Sequence, residues 1–267
     1  MRKIGFVGAG NMAGALAKGL LATKQFKARE LWASDAAPRQ LTKLARALGI
    51  GRAPDNATLV AGSEIVVLAV KPQIITAVLE EIRPHLTRRH LVVSIAAGIP
   101  TARFERELGG RARVVRAMPN TPALVGAGMT VVVRGAFATV ADERRAAALF
   151  GGVGEVVRVK DEALMDAVTG LSGSGPAYVY RFAEGLIAGG VAEGLSEPVA
   201  RQLTYQTLRG ATAMLQETGQ SPEELRRMVS SPGGTTLAGL GTLDAKGFVE
   251  AVAGAVNAAT RRGRELG

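Results

Sequence analysis

A glycine turn, Gly8-Ala9-Gly10-Asn11-Met12-Ala13, follows directly on the apolar run Lys3-Ile4-Gly5-Phe6-Val7 and opens a helical pattern over residues 12–22. Few folds accommodate that order. A strand that ends in G-x-G-x-x-G/A and turns straight into a helix is the phosphate-binding unit of a dinucleotide fold. Gly8 permits the tight turn, Gly10 lets a pyrophosphate approach the backbone without meeting a Cβ, and Ala13 keeps helix and strand close. Such a turn is common in isolation, so its weight comes from its place between a clear strand and a clear helix.

The following chain agrees with that start. Strands are expected at residues 3–8, 31–34, 64–70, 91–96, 113–117, 129–134 and 155–159, with helical patterns between the early ones at 12–22, 38–48 and 72–82. Most of the strands are continuous in Val, Ile, Leu and Ala, as for parallel strands buried on both faces. The pattern changes near Lys160–Asp161, after which helices dominate, at 176–194, 198–216, 222–229 and 248–262. The expected fold class is α/β: a Rossmann-like doubly wound sheet over residues 1–160, then an all-helical domain over 161–267. The stretch 176–194 is rich in Ala and Gly and apolar most of the way round, so the helical half is expected to dimerise.

Composition narrows the chemistry. The 267 residues include no cysteine and two histidines, His85 and His90, which leaves little for a thiolate, a metal site or a histidine relay. No metal is expected. Residues 1–20 include Asn11, Lys18 and several glycines, unlike a secretory or membrane segment, so a cytoplasmic location without a membrane partner is expected. The net charge of +10 attracts anions, but aromatics are only 4% and never interleave with Arg. A base-stacking nucleic-acid platform is therefore not expected.

Further candidate residues sit at strand ends, where open α/β sheets bind ligands. Asp35 ends the second strand and suits an adenosine ribose, favouring NAD; Arg39 and Lys43 follow it and suit a 2′-phosphate. Both cofactors stay open, with a slight tilt toward NADH. Ala69-Val70-Lys71-Pro72 offers Lys71 to a phosphate or ribose, Ala96-Ala97-Gly98 leaves room for a flat ring, and Asn120 suits a carboxamide. In the helical half, Ser230-Ser231-Pro232-Gly233-Gly234-Thr235-Thr236 combines hydroxyls, glycines and a helix start, which suits a small carboxylate. A plain capped helix–helix loop is the competing reading.

These segments, with Met118-Pro119-Asn120-Thr121-Pro122 and Asp166-Ala167-Val168-Thr169-Gly170-Leu171-Ser172-Gly173-Ser174-Gly175-Pro176-Ala177-Tyr178, resemble pyrroline-5-carboxylate reductase over essentially the whole chain. The resemblance implies reduction of 1-pyrroline-5-carboxylate to L-proline with NADH or NADPH, the closing step of proline biosynthesis. It implies a homodimer, with the active site at the dimer interface, and often further assembly into a decamer. Carried over by residue, Thr236 is the catalytic candidate beside the substrate nitrogen. Glu162, Ser231, Gly234 and Thr235 join it as substrate contacts. Gly8, Ala9, Gly10, Asn11, Met12, Asp35, Asn56, Ala69, Val70, Lys71, Pro72, Ala96, Ala97, Gly98 and Asn120 are the cofactor candidates. Asp35 departs from the small or basic group common there, and Met228 replaces a polar residue of some members. The alternatives are another imine or 3-hydroxyacid oxidoreductase, and a non-catalytic dinucleotide-binding regulator.

Overall fold

The computed structural model describes residues 3–266. Its first half alternates as expected: β1 (Ile4–Val7), α1 (Asn11–Ala22), β2 (Leu31–Ser34), α2 (Pro38–Leu48), β3 (Gly51–Arg52), α3 (Asn56–Ala61), β4 (Ile65–Leu68) and α4 (Ile75–Ile82). It continues through β5 (Leu91–Ser94), α5 (Thr101–Glu107), β6 (Arg113–Pro119), β7 (Gly128–Arg134), α6 (Val140–Phe150), β8 (Gly154–Arg158) and α7 (Met165–Val168). A short π-helical segment, Thr169–Gly173, precedes α8 (Gly175–Ala192), α9 (Glu197–Glu217), α10 (Pro222–Met228), α11 (Thr235–Ala245) and α12 (Phe248–Leu266).

The eight strands form one sheet in the order β3-β2-β1-β4-β5-β6-β7-β8. Strands β1 to β6 are mutually parallel, and β1 lies between β2 and β4. The winding reverses at β1, which creates the switch-point crevice of a doubly wound sheet. β7 pairs antiparallel with β6, and β8 runs parallel with β7. Only a short loop joins β6 to β7, so the chain must double back there, whereas a parallel return needs a long crossover.

Alternation along each strand feeds two cores. Ile4 and Phe6 of β1 join Leu16, Leu20 and Phe150 on one face of the sheet. Val7 joins Leu59, Leu79 and Phe104 on the other. Two covered faces are why these strands read as unbroken apolar runs.

The chain divides into two compact units: Met1–Ser174 with Asn257–Gly267, and Gly175–Val256. That division falls beyond the change of sequence pattern near residue 160. Helix α12 starts in the second unit and ends in the first. Its last turns pack within the first unit, where a Cβ on Gly98 would lie 3.1 Å from Leu266 Cβ and one on Gly263 3.5 Å from Asp166 Cβ.

Within the second unit, α8 packs against α9 and touches α12. Phe182 of α8 meets Phe248 of α12 with ring centroids 5.8 Å apart, and Tyr178 Oη donates to Ala255 O at 3.3 Å. Among the described residues of α8 to α11, only Ala183, Ala200 and Thr204 are fully buried. Val179, Tyr180, Leu203, Tyr205 and Leu237 stay exposed, and an apolar groove of about 330 Å³ between α9 and α10 is lined by Met214, Leu225 and Val229 among others. Apolar surface on this scale marks an interaction face.

Candidate active site

The glycine turn is held tightly against the neighbouring strand end. Gly8 has φ +99°, and a Cβ there would stand 2.7 Å from Ala69 O, so no side chain fits. Gly8 N–H donates to Ser34 O at 2.8 Å, and Ala69 N–H donates to Val7 O at 2.8 Å. Gly10 is the N-cap of α1 and offers no side chain to its first amides, which leaves them for an anion. This close, Cβ-free turn at a helix start fits a dinucleotide pyrophosphate. A cavity of about 580 Å³ opens beside it, lined by Ala9, Gly10 and Asn11 on one side and Arg39, Gln40 and Lys43 on the other. Its size suits a nucleoside.

The other candidate cofactor residues divide by what their polar atoms already do. Lys71 is exposed, with Ala69 and Val70 half-buried before it, and starts the turn at Pro72. Asp35 accepts N–H bonds from Ala9 and Ala37, each at 2.7 Å. Asn56 accepts from Ser34 Oγ at 2.6 Å and donates to Glu81 Oε2 at 2.7 Å. Asn120 Oδ1 accepts Met129 N–H at 2.9 Å, and its Nδ2 reaches Ser172 O at 3.3 Å. The amides of Asn56 and Asn120 are thus engaged with the protein itself. Ala96 is buried and Ala97 half-buried at the end of β5, and Gly98 faces the last turn of α12.

Glu162 belongs to an interior ion network. Thr101 donates to it through its N–H at 2.8 Å and its hydroxyl at 2.5 Å, and Arg116 Nη1 donates at 3.2 Å. Arg116 is 4% exposed and also lies 3.5 Å from Asp166. Sequence reasoning named neither Thr101 nor Arg116; an Arg inside an otherwise apolar strand was the available signal. A lone cation there must find a carboxylate.

The second unit brings Ser231, Gly234, Thr235 and Thr236 into one turn. Gly234 N–H donates to Ser231 O at 2.9 Å, and Gly233 takes φ +70°. Gly234 is the N-cap of α11 and supplies no side-chain cap; a Cβ on it would come within 2.5 Å of Ser231 Oγ. Thr236 is half-buried in the first turn of α11. The arrangement offers backbone N–H groups and hydroxyls to a small anion. Among the described residues, no group of three or more His, Asp or Glu is placed to hold a metal, and no helix is long and apolar enough to cross a membrane.

Comparison with known proteins gives these features a family. Residues 162–266 match the model described as pyrroline-5-carboxylate reductase dimerisation, and residues 3–98 match one described as NADP oxidoreductase, coenzyme F420-dependent. A pyrroline-5-carboxylate reductase of Methanosarcina acetivorans is 43% identical over 266 residues, covering 100% of this chain and 98% of the relative. One from Pseudomonas aeruginosa is 43% identical over 264 residues, covering 99% and 96%. Among solved structures, the enzyme of Coxiella burnetii superposes with a TM-score of 0.92 at 36% identity, covering 99% of this chain and 98% of that one. The Plasmodium falciparum enzyme with NADP bound gives 0.90 at 33% identity, covering 100% and 98%. By full-length similarity in sequence and fold, the chain belongs to the pyrroline-5-carboxylate reductase family.

Proposed function

We propose that this chain reduces 1-pyrroline-5-carboxylate to L-proline, the last step of proline biosynthesis, as an oxidoreductase acting on a CH–NH bond. The carrying observation is the pairing, in one chain, of the Gly8–Gly10 turn with the Ser231–Thr236 turn at the start of α11. A reduced nicotinamide dinucleotide, NADH or NADPH, supplies the hydride that ends on the imine carbon. The nitrogen takes a proton, and the C=N double bond becomes a C–N single bond.

The chain's own residues then have separate tasks. The glycine turn and the first amides of α1 hold the pyrophosphate, and Lys71 meets the cofactor at the end of β4. Ser231 and the backbone of Gly234 and Thr235 hold the substrate carboxylate. Thr236 offers its hydroxyl to the ring nitrogen. An imine nitrogen is far more basic than a ketone oxygen and arrives protonated, so no strong protein acid is required. That agrees with the histidines: His90 is buried against Val60 and Thr87, and His85 closes a surface turn after α4. Catalysis then rests on positioning.

Residues 1–160 form the dinucleotide half of this scheme and residues 161–267 the substrate and dimerisation half. The exposed apolar surface of the helical unit supports a homodimer, which the family resemblance extends to a decamer working in the cytoplasm. Oxidation of reduced cofactor that depends on added 1-pyrroline-5-carboxylate, with L-proline as product, tests the reading. Absence of turnover with either cofactor overturns it. Sedimentation of a species five times the dimer's mass tests the decamer.

A further inference from the structure

The family resemblance assigns Glu162 to the substrate, but its carboxylate faces the loop that leaves β5. Residues 95–100 carry the chain from the end of β5 to α5. Pro100, the residue before α5, gives that helix no side-chain cap. Glu162 takes the place of one from 61 positions along the chain: its Oε1 accepts Thr101 N–H at 2.8 Å, and its Oε2 accepts the Thr101 hydroxyl at 2.5 Å. Both bonds are charge-assisted, and together they fix the place and the direction of the first residue of α5. The middle of the loop is held separately. Gly98 has φ +77°, and a Cβ on it would stand 3.1 Å from Leu266 Cβ in the last turn of α12.

Arg116 in turn aims Glu162. In the register of the sheet it stands opposite Ser94, the last residue of β5, and its side chain is 5% exposed. Its Nη1 donates to Glu162 Oε1 at 3.2 Å, and its Nη2 lies 3.5 Å from Asp166 Oδ1. A buried guanidinium needs a carboxylate beside it, so Arg116 and Glu162 are costly to separate. The contacts therefore run from β6 through Glu162 to Thr101, and no member of that chain belongs to the glycine turn or to the Ser231–Thr236 turn. The loop it holds has small residues, Ala96 to Gly98, at the carboxyl end of β5, where an open sheet meets its ligand. A flat ring set against them is aligned only as well as the loop is. A misplacement of about 1 Å can cost about a hundredfold in rate.

We infer that Glu162 and Arg116 are positioning residues: they hold Thr101, and through it the loop of residues 95–100, where hydride transfer needs it. The effect on rate rests on the reductase reading, so the test adds a measurement that needs no turnover. Thr101→Val removes the hydroxyl and keeps the shape, while Thr101→Ser keeps the hydroxyl. In Thr101→Val, kcat is expected to fall about tenfold, with KM for both substrates within about threefold of wild type. The rate is taken per cofactor site, counted by fluorescence titration with NADH or NADPH, so that unfolded protein is not mistaken for slow enzyme. Amide hydrogen exchange over residues 97–101 of the whole protein is expected to quicken about tenfold. Thr101→Ser restores both values. Glu162→Gln, which loses the charge facing Arg116, repeats the Thr101→Val pattern. An unchanged kcat in Thr101→Val overturns the inference, as does a Thr101→Ser variant equally impaired. So does a Glu162→Gln variant whose KM for the imino acid rises while loop exchange stays at the wild-type rate, because Glu162 then touches substrate. If the wild type reduces no imine, the reductase reading falls, and exchange in Thr101→Val alone decides whether Glu162 holds the loop.

Discussion

The sheet-bearing unit and the helical unit are built on opposite terms. In the first, Phe6, Phe104 and Phe150 are completely buried, and helices cover both sides of the sheet. In the second, Leu203, Tyr205 and Tyr180 are each more than half exposed, and the buried residues of α8 to α11 are two alanines and a threonine. One region satisfies its apolar surface internally. The other leaves that surface for a partner, so its stability depends on how much protein is present.

Four measurements break or sharpen that contrast. Phe6→Ala should lower the unfolding free energy of the sheet unit by about 3–5 kcal/mol, checked by denaturant titration. The loss should be the same at high and low protein concentration; a loss that vanishes on concentrating the sample breaks the contrast. Leu203→Glu should raise the dimer dissociation constant at least a hundredfold, about 3 kcal/mol, through a charge trapped in an apolar interface. Analytical ultracentrifugation reads it, and an undiminished dimer removes α9 from the interface. Thr236→Ala should lower kcat/KM about tenfold or more, roughly 1.4 kcal/mol of transition-state stabilisation, and unaltered kinetics take Thr236 out of the mechanism.

The smallest effect concerns His90, buried in the sheet unit. Thr87 N–H donates to its Nδ1 at 2.8 Å, which leaves Nε2 to donate to Val60 O at 3.1 Å. Burial, reinforced by the positive charge of Arg89, lowers its pKa below the ordinary 6.5. The unfolded chain therefore takes up a proton near pH 6.5 that the folded chain refuses. This contribution to stability is complete above that pH and is lost as the pH falls through it toward the lower folded value. Denaturation midpoints across the acid range should show the loss, and His90→Gln should lessen it.

Legibility followed the same divide. The runs at residues 3–8, 31–34, 64–70 and 91–96 were readable because strands buried on both faces need no polar alternation. β3, two residues long, carries too little pattern to see. Helices α3 and α6 are not among the expected helices, although their caps carry a signal: Thr139 and Asp142 bond each other's backbone, and Asp55 accepts Thr58 N–H at 2.6 Å. Beyond its start in the Ser230–Thr236 motif, helix α11 is missing from the expected helices, since its apolar residues surround it without a preferred face. The direction of β7 had no local signature. At the candidate site, residue types were visible and their commitments were not. Nothing near Asp35 in sequence says that Ala9, 26 positions earlier, takes one of its oxygens.

Helix α12 has a practical consequence for anyone dissecting this protein. Because it begins in one unit and finishes in the other, no single scission of the gene yields two complete folding pieces. A fragment stopped after residue 174 lacks the turn that lies over Gly98, so the nucleotide-holding portion must be made with its distant tail supplied, by circular permutation or as a second peptide.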